Sequence, residues 1–329
     1  MGRLKIVYPV CCGMDVHRDF LIACIAATNA QGVTEYQSRR FSTYTGSLRE
    51  LRDWLLANDC KDVCMESTGK YWFPVHNILE ESCHVVVSHP KFVKAIKGKK
   101  TDKKDAQWIA DLFKHDLVRG SFIPPKDIRQ LRDLCRYWVK LSSYMTGEKN
   151  RAQNCLTVSN FKLDDVFSNV FGKSASAITT QLLEHPGEQF DVAPFVDGRC
   201  KTPIAQIQEA VDGIFTYEQA EKLKIIRGHM DSLERHKAEL ESLILEIAQN
   251  YLPQIELLLT VPGIHDAFTA IRILAEIGAD MTVFDTSKHL CSWAGLTPQN
   301  AESAGKKKTT RIGKSGAYLK PLLIQVALA

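Results

Sequence analysis

The chain has 329 residues, 45% of them hydrophobic and 24% charged, a composition that excludes wholesale disorder and provides for about two packed domains. Net charge is +4, from 42 basic and 38 acidic side chains, a balance too even to name a partner by itself. No stretch approaches the ~20 apolar residues of a membrane helix and no signal-peptide pattern opens the chain, so a cytoplasmic, non-membrane protein is expected. Its ten cysteines form no Cys-x-x-Cys pair, which argues for reduced, mostly buried thiols and against a zinc site.

In chain order, Ile6 to Met14 alternates like a strand ending at Asp15, and Phe20 to Ala27 is a second apolar run. Asn29-Ala30-Gln31-Gly32 is a turn signal before a third strand, Val33 to Phe41. Leu48, Leu51, Trp54 and Leu55 fall at helical spacing. A short buried strand, Asp62 to Met65, leads to Glu66. A helix over about Tyr71–Glu81, a strand His84–Ser88, and a helix from Asp102 capped by Thr101 follow. Three hairpin-joined strands and then alternating units is the order of an α/β RNase H-like domain, expected over residues 1–122.

Pro124-Pro125 punctuates the chain, and a long helix is expected from Asp127 to about Thr157. Residues 159–216 lose clear periodicity and read as an irregular insertion. Over Tyr217–Tyr251 the stripe Leu223, Ile226, Met230, Leu233, Leu240, Leu243, Ile247 predicts a second long helix, giving a helical, coiled-coil-like arm over 123–252. A small, mostly helical C-terminal domain is expected over 253–329. Its Val261-Pro262-Gly263-Ile264 turn suits either a helix-hairpin-helix phosphate contact or an ordinary helix start.

Charge is uneven along the chain. Lys91 to Lys104 holds seven lysines and one acid, and Lys306 to Lys320 holds six basic residues and no acid. Two such patches on a near-neutral chain suit a polyanion. Four carboxylates stand out beside the first patch. Asp15 and Glu66 end strands that lie side by side in an RNase H-like sheet, and Asp102 and Asp105 share the first turn of a helix. Clustered carboxylates call for cations, and hard oxygen donors suit Mg²⁺ or Mn²⁺. Metal-holding acids flanked by lysines fit a phosphodiester backbone. The second patch lies in a Gly- and Ser-punctuated segment, Ala294 to Gly316, read as a flexible basic loop in which a serine could serve as nucleophile.

Together these segments resemble the DEDD transposases of the insertion-sequence 110/1111 family. The resemblance rests on Gly13-Met14-Asp15-Val16-His17, on Met65-Glu66-Ser67-Thr68-Gly69-Lys70-Tyr71-Trp72, and on Lys100-Thr101-Asp102-Lys103-Lys104-Asp105-Ala106. It continues through Pro124-Pro125 with Arg129, Leu131, Arg132, Leu134 and Arg136, Lys149-Asn150-Arg151, Val261-Pro262-Gly263-Ile264 and Ala294-Gly295-Leu296-Thr297-Pro298. It implies a RuvC-like N-terminal domain with Asp15, Glu66, Asp102 and Asp105 as catalytic metal ligands. It implies Ser303 as a nucleophile that links covalently to DNA, with Ser315 as competitor. It implies donor and target DNA and a structured non-coding guide RNA as partners, with base pairing choosing the sequence. The expected localisation is then a prokaryotic cytoplasm, at the nucleoid when DNA is bound.

Backbone contacts to nucleic acid are expected from Lys99, Lys100, Lys103, Lys104, Arg129, Arg132, Arg136, Lys306, Lys307, Lys308, Arg311 and Lys314. Two duplexes and two strand transfers suggest a homo-oligomer, a dimer assembling to a tetramer. The competing reading is a metal-dependent RuvC-like nuclease or Holliday-junction resolvase that uses water, which would keep cleaving without Ser303. His17, Tyr71 and Trp72 adjoin the acidic motifs, and the ordinary reading of each is structural.

Overall fold

In the computed structural model, the first strand, β1 (Val10–Val16), runs antiparallel to β2 (Phe20–Thr28), which pairs with β3 (Thr34–Ser42). The structure describes residues 4–66, 69–93, 101–298, 301–303, 306–309, 311–312 and 316–329. β1 begins at Val10 rather than at Ile6 because Pro9 has no N–H for a ladder. The amides of Val7 and Tyr8 instead both donate to the carbonyl of Lys114. The β2–β3 turn is set by Asn29, whose Oδ1 accepts from the amides of Gln31 and Val33.

Helix α1 (Thr45–Ala57), strand β4 (Asp62–Glu66), helix α2 (Trp72–Leu79), strand β5 (His84–Ser88), the short helix α3 (Pro90–Val93) and helix α4 (Asp102–Lys114) complete this part. The five-stranded sheet has the order β3-β2-β1-β4-β5, with β4 parallel to both β1 and β5. The expected neighbourhood of the first and fourth strands is therefore present.

Strand alternation divides the sheet into two faces. Cys12, Met14 and Val16 join Leu48, Leu51 and Leu55 of α1 and Val75 and Leu79 of α2 in one core. Cys11 and Cys64 join Ile109, Ala110 and Phe113 of α4 in another. Gly13 lies on the α4 side. A Cβ there would stand 2.3 Å from the Ala106 carbonyl oxygen and from the Ala110 amide nitrogen, so only glycine lets α4 lie this close to β1. At the other end of α4, the buried Lys114 ammonium donates to Asp111 at 2.7 Å and reaches Tyr36 and Thr34 of β3.

The chain divides into two compact units, residues 1–123 and 124–329, with the boundary at the Pro124-Pro125 punctuation. The second unit is built on α5 (Lys126–Val158). Then come α6 (Leu163–Val166), α7 (Lys173–Glu184), α8 (Ile204–Ala210) and α9 (Tyr217–Ala248). Helices α10 (Leu252–Leu259), α11 (Ala267–Ile277) and α12 (Ser287–Trp293) lead to strands β6 (Ala301–Ser303) and β7 (Lys306–Thr309) and a last helix, α13 (Leu319–Leu328).

α5 and α9 pack antiparallel. The start of α5 (Ile128, Leu131, Cys135) shares a core with the end of α9 (Leu240, Ile244, Ala248), and the end of α5 (Ala152, Cys155, Leu156) with the start of α9 (Ala220, Leu223, Ile226). Three differences from the sequence reading emerge. Leu243 is 43% exposed and Ile244 fully buried, because the seven-residue repeat that starts at Leu223 and passes through Met230 reaches position 244, not 243. Residues 159–216 hold three short helices, and Phe161, Ile178, Leu182, Ile207 and Phe215 complete a core over the far end of the helix pair. The expected boundary at 252/253 also crosses a single core, since residues of α11 and α13 pack with α5 and α9.

Candidate functional site

The pairing of β1 with β4 runs Cys11 with Asp62 to Met14 with Met65. One step further stand Asp15 and Glu66, at the same C-terminal edge of two parallel strands. Met14 and Met65 are fully buried in the α1/α2 core. Alternation therefore turns Asp15 and Glu66 to the opposite face, the one covered by α4. That helix starts beside them. Thr101 caps it, its hydroxyl accepting from the Lys104 amide at 3.3 Å, and Asp102 and Asp105 occupy its first turn. Both acids are favoured there by the helix dipole. The close approach at Gly13 fixes the height of α4 over β1, one turn from Asp105.

Asp15 is 14% exposed and accepts a hydrogen bond from His17, with Nε2 and Oδ2 3.1 Å apart. The same Nε2 lies 3.7 Å from Oδ1 of Asp102. Donor atoms of Asp15, His17 and Asp102 all fall within 4.8 Å of one another. Among the described residues, Glu66 and Asp105 do not enter that tight set. Glu66 ends β4, and Asp105 is near enough to act on Asp15 electrostatically. Burial is the largest influence on Asp15 and pushes its carboxyl above the usual range. His17 opposes this, and Asp102 and Asp105 add to it. A partly buried carboxylate beside two further acids and an imidazole is a donor set that fits a divalent cation.

The second candidate element lies in the other unit. Rather than an open loop, the basic segment contains a hairpin, with Ala301 paired to Thr309 and Ser303 to Lys306. Only two residues separate Ser303 from Lys306, so Ser303 stands at the turn end of β6, and Lys306, Lys307 and Lys308 lie along β7. The base of the hairpin is held twice. Pro298 bridges Ile312, and Gly316, at φ +73°, approaches Ala294 so closely that a Cβ would lie 2.1 Å from its carbonyl oxygen. Gly263 of the Val-Pro-Gly-Ile turn has a similar duty, packing against the carbonyl of Val326 in α13.

The other expected nucleic-acid contacts divide three ways. Lys103, Lys104 and Arg311 are exposed. Lys99, Lys100, Lys314 and the competitor Ser315 lie outside the described residues. The α5 arginines have internal partners. Arg129 donates to the Pro124 carbonyl, and Arg132 to the carbonyls of Ala275 and Glu276. Arg136 makes two 2.7 Å bonds to the nearly buried Glu276 carboxylate. Trp72 is buried, as the structural reading of it required. The structure also sets His17, read from sequence as structural, beside Asp15 and Asp102. Asp-x-His at a strand end places both side chains on one face, and that spacing was its available signal.

Two family models match the chain. One, described as a DEDD transposase of IS110 type, matches residues 12–160, and the other, the transposase IS116/IS110/IS902 family, matches residues 255–329. Together they span about two thirds of the sequence.

The chain belongs to the IS110 transposase family.

It is an enzyme that acts on DNA. The first model takes in Asp15, Glu66, Asp102 and Asp105, and the second takes in the β6–β7 hairpin of the transposase. No curated protein matches the chain. Among solved structures, Thermus thermophilus RuvC aligns at 14% identity and TM-score 0.28, covering 34% of this transposase and 99% of RuvC. The same RuvC in complex with a Holliday junction substrate aligns at 13% identity and TM-score 0.26, with the same coverage. Fowlpox virus resolvase with its Holliday junction aligns at 14% identity and TM-score 0.22, covering 32% of this chain and 72% of the resolvase. Among the described residues, no helix is long and apolar enough to cross a membrane.

Proposed function

We propose that this transposase cuts and rejoins donor and target DNA through a covalent phosphoserine intermediate at Ser303, with a structured non-coding RNA choosing the sites. The observation that carries the reading is the convergence of Asp15 and Asp102 on one face at the edge of the sheet, beside Glu66 and Asp105. These acids would hold Mg²⁺ or Mn²⁺, which when bound supplies positive charge to a scissile phosphate and lowers the pKa of an oxygen nucleophile. The position of Ser303 at the turn end of a hairpin with a tied base suits a nucleophile, and the lysines in the sequence of β7 suit the flanking phosphates.

In the proposed reaction Ser303 Oγ attacks phosphorus and loses its proton. The 3′-oxygen leaves and takes up a proton, giving a 5′-phosphoserine and a free 3′-hydroxyl. The 3′-hydroxyl of the other duplex then attacks the phosphoserine, its proton returns to Ser303, and the phosphodiester is restored without ATP. Lys103 and Lys104, exposed beside Asp102 and Asp105, would hold backbone on the acid side. Arg132 and Arg136 would act indirectly, by fixing α5 to the end of α11. A dimer assembling to a tetramer would supply enough sites for two duplexes.

The test is a denaturing gel of the protein with Mg²⁺, labelled element-junction DNA and the element's flanking RNA. A protease-sensitive protein–DNA adduct should form in the wild type and be absent in Ser303→Ala. Asp102→Asn should slow its formation by about 10²–10³. Nicking without an adduct, unchanged in Ser303→Ala, would mean a water-using nuclease instead.

A further inference from the structure

We infer that His17 is itself a ligand of the divalent metal, which makes this a mixed nitrogen–oxygen site that favours Mn²⁺ over Mg²⁺. The inference rests on reading the acid cluster as a metal site and specifies its donor set and its selectivity.

Three observations support it. First, the geometry is that of ligands. Donors about 2.1 Å from an octahedral ion and at right angles to one another stand about 3 Å apart. Nε2 of His17 is 3.1 Å from Oδ2 of Asp15 and 3.7 Å from Oδ1 of Asp102, and donor atoms of all three lie within 4.8 Å of one another, separations close to those that a shared ion imposes. Second, the imidazole is the meeting point of the two acids. The tight set contains His17 and neither Glu66 nor Asp105.

Third, His17 is held in place by contacts unrelated to the acids. Its amide donates to the carbonyl of Phe20 at 2.9 Å, closing the tight turn between β1 and β2. Its ring packs on Phe20 with centroids 4.7 Å apart, and the Arg40 guanidinium lies over that same ring at 4.1 Å. A merely solvated surface histidine would need none of this support. A ligand gains from it, because less freedom is lost when the ion binds.

The consequence is selectivity. Mg²⁺ prefers oxygen donors and keeps its waters, whereas an imidazole nitrogen raises affinity for first-row transition ions. A site with His17 therefore separates Mn²⁺ from Mg²⁺ more than four carboxylates would.

The experiment is electron spin-echo modulation spectroscopy of the full-length protein loaded with Mn²⁺, together with calorimetric titration of Mn²⁺ and Mg²⁺. Wild type should show directly bound ¹⁴N. His17→Ala should lose that signal and bind Mn²⁺ about 10-fold more weakly, with Mg²⁺ affinity changed less. His17→Asp should recover Mg²⁺ affinity with no nitrogen signal. Mn²⁺ that binds in an Asp15-dependent manner but shows no ¹⁴N, or ¹⁴N that persists in His17→Ala, overturns the role of His17 and leaves the acid site standing. Failure of Mn²⁺ to bind, with Asp15→Asn indistinguishable from wild type, overturns both.

Discussion

Asp15 shows at the scale of one residue how a carboxylate that is partly buried beside other acids destabilises the chain that carries it. Its carboxyl is pushed above the ordinary value, chiefly by burial. A group whose folded pKa is raised contributes stability that is full below the unfolded pKa and lost as pH rises through the folded one. At neutral pH the metal-free protein therefore holds an ionised carboxylate in an unfavourable place. Asp15→Asn, whose amide oxygen can still accept from His17, should melt at a higher temperature than wild type in chelator at pH 7. The gain should shrink toward pH 4, and saturating Mn²⁺ should reverse the order. An Asn variant that melts lower in chelator at pH 7 would remove this account. The four acids were legible in the sequence because strand and helix ends are where such residues gain a common edge. His17 was only half legible: its spacing from Asp15 puts both on one face if the strand runs that far, but the turn to Phe20 that holds it beside the acid shows only in the fold.

At the scale of elements, the site depends on how closely α4 lies over β1. Gly13 sets that distance. A methyl group there would stand 2.3 Å from backbone atoms of Ala106 and Ala110, and backbone cannot yield as a flexible side chain would. Gly13→Ala should lower stability by about 1–3 kcal/mol, as overpacking does. It should also move Asp102 away from Asp15 and weaken Mn²⁺ binding, measurable by titration, even where the protein stays folded at low temperature. Unchanged metal affinity in a folded Gly13→Ala protein would mean that α4 is not the element that sets the site. The strand order and both long helices were readable because their periodicities persist over many residues. The stretch 159–216 was not, because its helices are too short to show a period and its core residues come from separate pieces (Phe161, Ile178, Ile207) that only the fold brings together. The arginines of α5 mark the same limit. A basic helix reads as a nucleic-acid contact from sequence, while the carbonyls of Ala275 and Glu276 that engage Arg132 are invisible to it.

At the scale of the whole molecule, the hydrophobic cores are partitioned between the units. Among the described residues, the clusters on the two faces of the sheet draw only on residues up to 123, and those around α5 and α9 only on residues from 128 onward. Each unit therefore has its own cooperative core, and unfolding is not expected to be a single two-state event. Scanning calorimetry of the full chain should show two transitions that respond to different changes. Mn²⁺ should raise only the one belonging to the β-sheet unit, since the ion binds its native form alone. Ile244→Ala removes a fully buried side chain shared by α9, α5 and the C-terminal helices, at about 2–5 kcal/mol. It should lower only the other transition, by about 5–15 °C for a unit of this size, while Leu243→Ala, on the exposed side of the same turn, should shift it little. If Mn²⁺ raised both transitions equally, or Ile244→Ala lowered both, the two cores would have to be unfolding as one. The catalytic consequence is specific. Damage to the α5–α9 core would then loosen the acid site as well, whereas separate transitions predict that Ile244→Ala leaves Mn²⁺ affinity unchanged at temperatures below both.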